Sequence, residues 1–159
     1  MDLEKFAGFA PGTKVGTSAW LTVDQPMIDQ FGDATRDPDP MHIDPEWARE
    51  NAPYGGTIAF GFLTVSLLTH LLHSAMDTKL SREAAGTGHF MNYGFNRLRL
   101  VSPVPTGAQV RGKFSTIDLR ENERGRIIVT FQSEIEIEGK DRPALVAEWL
   151  AVWVKPETI

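Results

Sequence analysis

The run Ile58-Ala59-Phe60-Gly61-Phe62-Leu63-Thr64-Val65-Ser66-Leu67-Leu68-Thr69-His70-Leu71-Leu72-His73 restricts the possible folds of this chain more than any other stretch. It predicts a helix with apolar residues on nearly every face, which other elements must wrap on most sides. Thr64, Ser66, Thr69 and His70 interrupt it, and it falls short of the roughly 20 apolar residues that a bilayer-spanning helix needs. The wrapping therefore has to come from protein. Four stretches of the second half supply it, since residues 89–101, 109–120, 126–138 and 144–155 read as strands. Alternation is clearest in Ile127-Ile128-Val129-Thr130-Phe131-Gln132-Ser133-Glu134-Ile135. The connectors Glu123-Arg124-Gly125 and Gly139-Lys140-Asp141-Arg142-Pro143 suit hairpins, so this half reads as a mostly antiparallel meander.

Upstream of the apolar helix the elements are short. Residues 15–23 predict a first strand, and residues 1–12 a lead-in anchored by Phe6 and Phe9. Thr22 with Gln25 resembles a capping box, and Asp24 and Pro26 suit the first turn of a helix ending near residues 32–35. Asp44 and Pro45 predict the cap and first position of a second short helix over residues 45–51. Residues 74–89 are polar and glycine-containing, and predict a loop. The sum is a single α+β domain over residues 1–159, an antiparallel sheet of about five strands wrapped around a long central helix. Such a sheet has an open edge, and a homodimer is the expected way to cover it.

Composition removes several classes of function. The absence of cysteine excludes disulfides, thiolate nucleophiles and Cys-ligated zinc, and is compatible with a reducing cytoplasm. A net charge of −5 argues against nucleic-acid or membrane partners. The start Met1-Asp2-Leu3-Glu4-Lys5 lacks the basic and apolar regions of a signal peptide, so a soluble, cytoplasmic protein is expected.

The chemistry-bearing stretch is Asp37-Pro38-Asp39-Pro40-Met41-His42-Ile43-Asp44. Proline fixes its own φ and keeps the preceding residue out of helical geometry, so Asp37 and Asp39 are expected on stiff, extended backbone. A carboxylate and an imidazole held this close can flank one water, one removing a proton while the other orients it. Asp37, Asp39, His42 and Asp44 as a metal site is a weaker reading. The spacing lacks the central glycine of a calcium loop, and no second histidine cluster supports zinc. No metal or cofactor is expected, and no phosphate-binding glycine loop or dinucleotide fingerprint is present. Gly61, in the first turn of the apolar helix, admits two readings. It lets a ligand carbonyl approach a free backbone N–H at the positive end of the helix dipole, or it lets the helix pack closely on a strand. His70 and His73 read as core or interface residues, and His89 opens a strand without an evident partner.

The motif Asp37-x-x-x-x-His42-Ile43-Asp44-Pro45, followed by Gly56-Thr57-Ile58-Ala59-Phe60-Gly61-Phe62-Leu63, resembles the MaoC-like dehydratase family. Asn92-Tyr93-Gly94-Phe95-Asn96-Arg97-Leu98-Arg99 and Ser102-Pro103-Val104-Pro105-Thr106-Gly107 are similar to its nodulation-protein-N-like branch. The resemblance implies a hot-dog fold and (R)-specific hydration of a trans-2-enoyl thioester carried on coenzyme A or an acyl carrier protein. It makes Asp37 and His42 the catalytic pair, Asp37 taking the water proton and His42 orienting the water and handling the proton at Cα. It makes the Gly61 N–H the donor to the thioester carbonyl. Three positions depart from the family's usual pattern. Asp39 replaces an Asn, so a second carboxylate either repels charge on Asp37 or points to solvent. Phe60 replaces a His. Thr69, with Ser66 one turn earlier, stands where some relatives have a Ser that helps hold the pair. Arg97 and Arg99 alternate on one strand face, either solvated or in contact with coenzyme A phosphates or an acidic carrier protein, with Arg111 and Lys113 extending that patch. Two other activities suit the same fold: hydrolysis of an acyl thioester, and acyl-thioester binding without catalysis.

Overall fold

The computed structural model describes residues 6, 8–76 and 88–154. Within them the chain forms β1 (Lys14–Thr17), β2 (Leu21–Thr22), α1 (Gln25–Thr35), α2 (Pro40–Ile43), α3 (Pro45–Asn51), α4 (Gly61–Ala75), β3 (His89–Leu100), β4 (Gln109–Glu121), β5 (Ile127–Ile137) and β6 (Leu145–Val154). The strands make one six-stranded sheet in the order β1-β4-β5-β6-β3, with β2 also on β4. Every pairing is antiparallel. One face of the sheet packs on α4, which is the hot-dog arrangement that the resemblance implies.

Alternation decides which side chains meet the helix. Val129, Phe131, Ile135 and Ile137 of β5 join Leu68, Leu71 and Leu72 of α4 in the main core, as do Ala147, Trp149 and Ala151 of β6. Ile128, Leu150 and Val152 form a small separate cluster on the other face. Phe6 and Phe9 do anchor the lead-in: Phe6 packs edge-on against Phe90 and Trp153, and Phe9 against Phe90 and Phe131.

Four details differ from the sequence reading. The strand expected over residues 15–23 is two short pieces, both paired with β4. It breaks where the buried Ser18 turns inward, its hydroxyl accepting the Gly112 N–H and donating to the Ala19 carbonyl. The cap of α1 is Asp24, whose carboxylate accepts the Met27 N–H, and not Thr22, which is held in β2. The central helix starts at Gly61, because residues 58–60 are extended and Ile58 bridges to Pro105. Lastly, β4, β5 and β6 form the meander, but β3 pairs with β6 rather than β4. The connector over 101–108, with Pro103 and Pro105, is no hairpin turn. It crosses the end of the sheet, held by Val101 N–H to the Ala144 carbonyl, Ala59 N–H to the Val104 carbonyl and Thr106 N–H to the Thr57 carbonyl. That crossing lays residues 101–104 beside the start of α4. Of the loop expected over residues 74–89, residues 77–87 lie outside the described residues. Among the described residues no helix is long and apolar enough to cross a membrane.

Candidate active site

The polar loop begins where α1 stops. Arg36 takes the left-handed conformation (φ 58°), and the N–H groups of Arg36 and Asp37 close on the carbonyls of Asp33 and Gly32. This is a helix C-cap built without glycine at the left-handed position. Asp37 emerges exposed, its Oδ1 accepting the Asp39 N–H at 3.2 Å. Asp39 is extended and caps α2, its carboxylate accepting the Met41 N–H at 2.9 Å. Asp39 therefore has a structural role that an Asn would fill equally well. Asp44 caps α3 as expected, accepting from the Glu46 and Trp47 N–H groups.

His42 is buried at 9% exposure, and four contacts fix it. Its Nδ1 lies 2.7 Å from the Ile58 carbonyl oxygen. A carbonyl can only accept, so Nδ1 carries the proton, and in the neutral ring Nε2 keeps its lone pair. The Phe60 ring lies against the imidazole, with centroids 4.0 Å apart and planes 35° apart. Phe60, the departure from the family pattern, thus holds the histidine by stacking. The main chain of His42 is held as well: its N–H donates to the Asp39 carbonyl, and its carbonyl accepts from Gln25 Nε2 at 2.8 Å.

Gln25, read in the sequence only as a capping-box partner of Thr22, supports the site instead. Its Nε2 also donates to Asp29 Oδ1 at 2.7 Å, and its Oε1 accepts the Thr57 hydroxyl at 2.6 Å. The Thr57 and Thr106 hydroxyls lie 2.7 Å apart. The network ties α1, the loop of His42, the approach to α4 and the crossing connector together. Its only trace in the sequence is a set of unremarkable polar residues far apart in the chain. Sequence reasoning missed Gly32: a Cβ there would stand 3.2 Å from Asp37 O, Ile43 Cγ2 and Phe60 Cζ, so only glycine lets α1 seat against these three without a shift.

Gly61 is the first residue of α4, and no side chain caps that helix. The N–H groups of its first turn have no acceptor within the helix, and the dipole makes this end positive. His42 and Gly61 line one cleft of about 330 Å³, together with Met41, Thr64, Leu100 and Pro103. The structure thus brings the imidazole and the helix N-terminus together. Asp37 stands exposed on the loop that carries His42. Of the hydroxyl-bearing residues of α4, Thr64 lines this cleft; it is buried and its hydroxyl donates to the Phe60 carbonyl at 3.3 Å. Thr69 and Ser66 instead line a different cleft, between α4 and Tyr93 and Phe95 of β3, and Ser66 donates to the Phe62 carbonyl.

The arginines expected at phosphates lie elsewhere on the sheet. Leu98 packs on the core, so Arg97 and Arg99 project from the opposite face. Arg97 stands across from Glu148, and Arg99 donates to the Leu98 carbonyl. Arg111 and Lys113 both bind the Glu136 carboxylate. Desolvation works against the charged form of Glu136, but these hydrogen bonds outweigh it and hold the carboxyl below its usual range. At the far end of α4, burial, with the His70 charge adding, pushes the His73 imidazole below its usual range. Among the described residues no group of three or more His, Asp or Glu side chains is arranged to hold a metal ion.

The chain is similar to known proteins in sequence and in fold. A family model described as "MaoC like domain" matches residues 6–138. The chain is 43% identical to nodulation protein N of Rhizobium leguminosarum bv. viciae over 141 residues, which cover 89% of this chain and 84% of that protein. It is 39% identical to 3-hydroxyacyl-thioester dehydratase Z of Mycobacterium tuberculosis over 145 residues, 91% of each. Among solved structures, a MaoC-like dehydratase from Rhodospirillum rubrum superposes with a TM-score of 0.73 at 22% identity, covering 98% of this chain and 97% of that one. The (R)-hydratase of A. caviae involved in PHA biosynthesis does so with a TM-score of 0.67 at 23% identity, covering 89% and 98%. At these identities the structural likeness establishes the shared fold.

Proposed function

This chain belongs to the MaoC-like domain family, and from that premise we propose that it hydrates trans-2-enoyl thioesters to (3R)-3-hydroxyacyl thioesters and catalyses the reverse dehydration. The observation that carries the reading is the pairing of His42, its Nδ1 proton held on the Ile58 carbonyl, with the uncapped Gly61 N-terminus in one cleft. The Gly61 N–H receives the thioester oxygen and disperses the enolate charge that develops as water adds. One water supplies both atoms of the addition. Its oxygen bonds to C3 while Asp37 and His42 between them remove one of its protons and return a proton to C2. Nε2 of His42 is the lone pair available for this exchange. The relative named a 3-hydroxyacyl-thioester dehydratase supports the substrate class.

Crotonyl-CoA tests the reading against its rivals. The expected result is loss of the enoyl absorbance without release of free thiol. Thiol release would make the protein a hydrolase, and neither signal with acyl chains of several lengths would leave only a binding function.

The reading includes a homodimer. β3 is the terminal strand of the sheet, and it exposes Met91, Tyr93 and Phe95, while Phe62 of α4 is 74% exposed. An unpaired apolar strand edge is satisfied by the same edge of a second copy. Sedimentation equilibrium is expected to give twice the chain mass of 17.7 kDa, and a monomer at micromolar concentration would remove this part of the proposal.

A further inference from the structure

The cleft of His42 and Gly61 adjoins a second groove of about 460 Å³, and the two share Ile58, Ser102 and Pro103 as a common wall. Tyr54 and Ile137 line the groove, and its rim is the turn between β5 and β6, with Lys140, Asp141 and Arg142. That rim is a defined structure. Gly139 takes the left-handed conformation (φ 71°), the Lys140 N–H donates to the Ile137 carbonyl, and the Ala144 N–H donates to the Ile135 carbonyl at 2.7 Å. The ion pairs among the described residues are Arg111–Glu136, Lys113–Glu136 and Arg120–Asp118, and Lys140 and Arg142 take part in none of them. In a chain of net charge −5, two uncommitted cations at the end of an apolar groove suit a ligand with a lean stem and an anionic end.

We infer that this groove holds the pantetheine arm of the thioester substrate, and that Lys140 and Arg142 bind the phosphate at its far end. The inference rests on the thioester reading above. It moves the phosphate contact from Arg97 and Arg99, on the outer face of the sheet, to the turn whose groove meets the cleft. Asp141, on the same rim, works against the contact. The two signs of charge therefore have opposite effects.

The test compares crotonyl-CoA with the crotonyl thioester of N-acetylcysteamine, which has no phosphate. Lys140→Gln with Arg142→Gln is expected to lower the ratio of kcat/KM for the first over the second by about tenfold, the scale of two solvent-exposed charge contacts. Asp141→Asn is expected to raise the same ratio. Added salt is expected to erode the wild-type preference and to leave that of the double variant nearly flat. A disturbed turn would not move the ratio in opposite directions, so equal ratios in all three proteins, or shifts of one sign, would overturn the inference. Calorimetric titration with coenzyme A and with 4′-phosphopantetheine separates the two sources of phosphate. Weaker binding of both by the double variant places the contact at the phosphate common to free coenzyme and carrier protein, and weaker binding of coenzyme A alone places it on the nucleotide. If no thioester is hydrated, the proposed activity falls while these titrations still judge the groove, and equal binding of both ligands by wild type and variant overturns it.

Discussion

His42→Gln is expected to lower the rate of crotonyl-CoA hydration by about 10²–10⁴, the usual contribution of a positioned acid–base group, with the fold intact. Glutamine retains a donor for the Ile58 carbonyl but has no lone-pair nitrogen to exchange a proton with water. Asp37→Asn is expected to fall within the same range. The double variant is expected to lose little more than either single variant, because residues that act as a unit on one water give strongly non-additive losses. Additive losses would mean that the two residues act on different steps, and near-full turnover by either single variant would end the paired mechanism. Asp39→Asn is the internal control. Its side chain caps α2 through the Met41 N–H, which Asn also does, so turnover close to wild type is expected. Steady-state rates with circular dichroism on the four variants decide all of this.

The second large effect concerns Gly61. A Cβ at this position would lie 2.4 Å from Leu100 Cδ1, at the place where a substrate carbonyl would approach the helix. Leu100 is 51% exposed, so its terminal methyl can swing away. Alanine is also the better helix former. Gly61→Ala is therefore expected to unfold at no lower temperature than wild type, yet to lose about 10²–10³ in turnover, the scale of a displaced oxyanion donor. Combining it with Leu100→Ala separates the two readings of the glycine. If the methyl only crowds Leu100, the double variant recovers wild-type turnover. If it blocks the carbonyl, the loss persists, and that is the expected result.

Much of this architecture can be read from local signals. Period-two alternation marks β5, and turn residues bracket the other long strands, so β3 to β6 fall within a residue or two of their expected bounds. Asp44-Pro45 marks the start of α3 because cap and proline chemistry act within one turn. What the sequence hides is contact between distant segments. Nothing local in the connector over 101–108 reveals that it crosses the sheet to bond Thr57 and Ala59. Without that crossing Gln25, Thr106 and Leu100 look unrelated to the loop of His42. Asp37 and His42 are legible as a motif, whereas the Nδ1 bond that selects the histidine tautomer depends on a carbonyl sixteen residues away. Thr69 and Ser66 illustrate the limit of counting along a helix. A helical surface presents residues to opposite sides within a turn, so Thr64 enters the His42 cleft while Ser66 and Thr69 line another.

The bond from the Ile58 N–H to the Met41 carbonyl and the bond from His42 to the Ile58 carbonyl close a ring of chain at its neck. Everything between Asp44 and Thr57, including α3 and the Gly55-Gly56 bend, leaves that neck and returns to it. The spacing of the imidazole from the helix end is thus set by two hydrogen bonds and is independent of the contour length of the excursion. Insertions or deletions in the excursion can accumulate over evolutionary time without moving one half of the site against the other. A substitution that unfastens the neck, in contrast, reaches both halves at once.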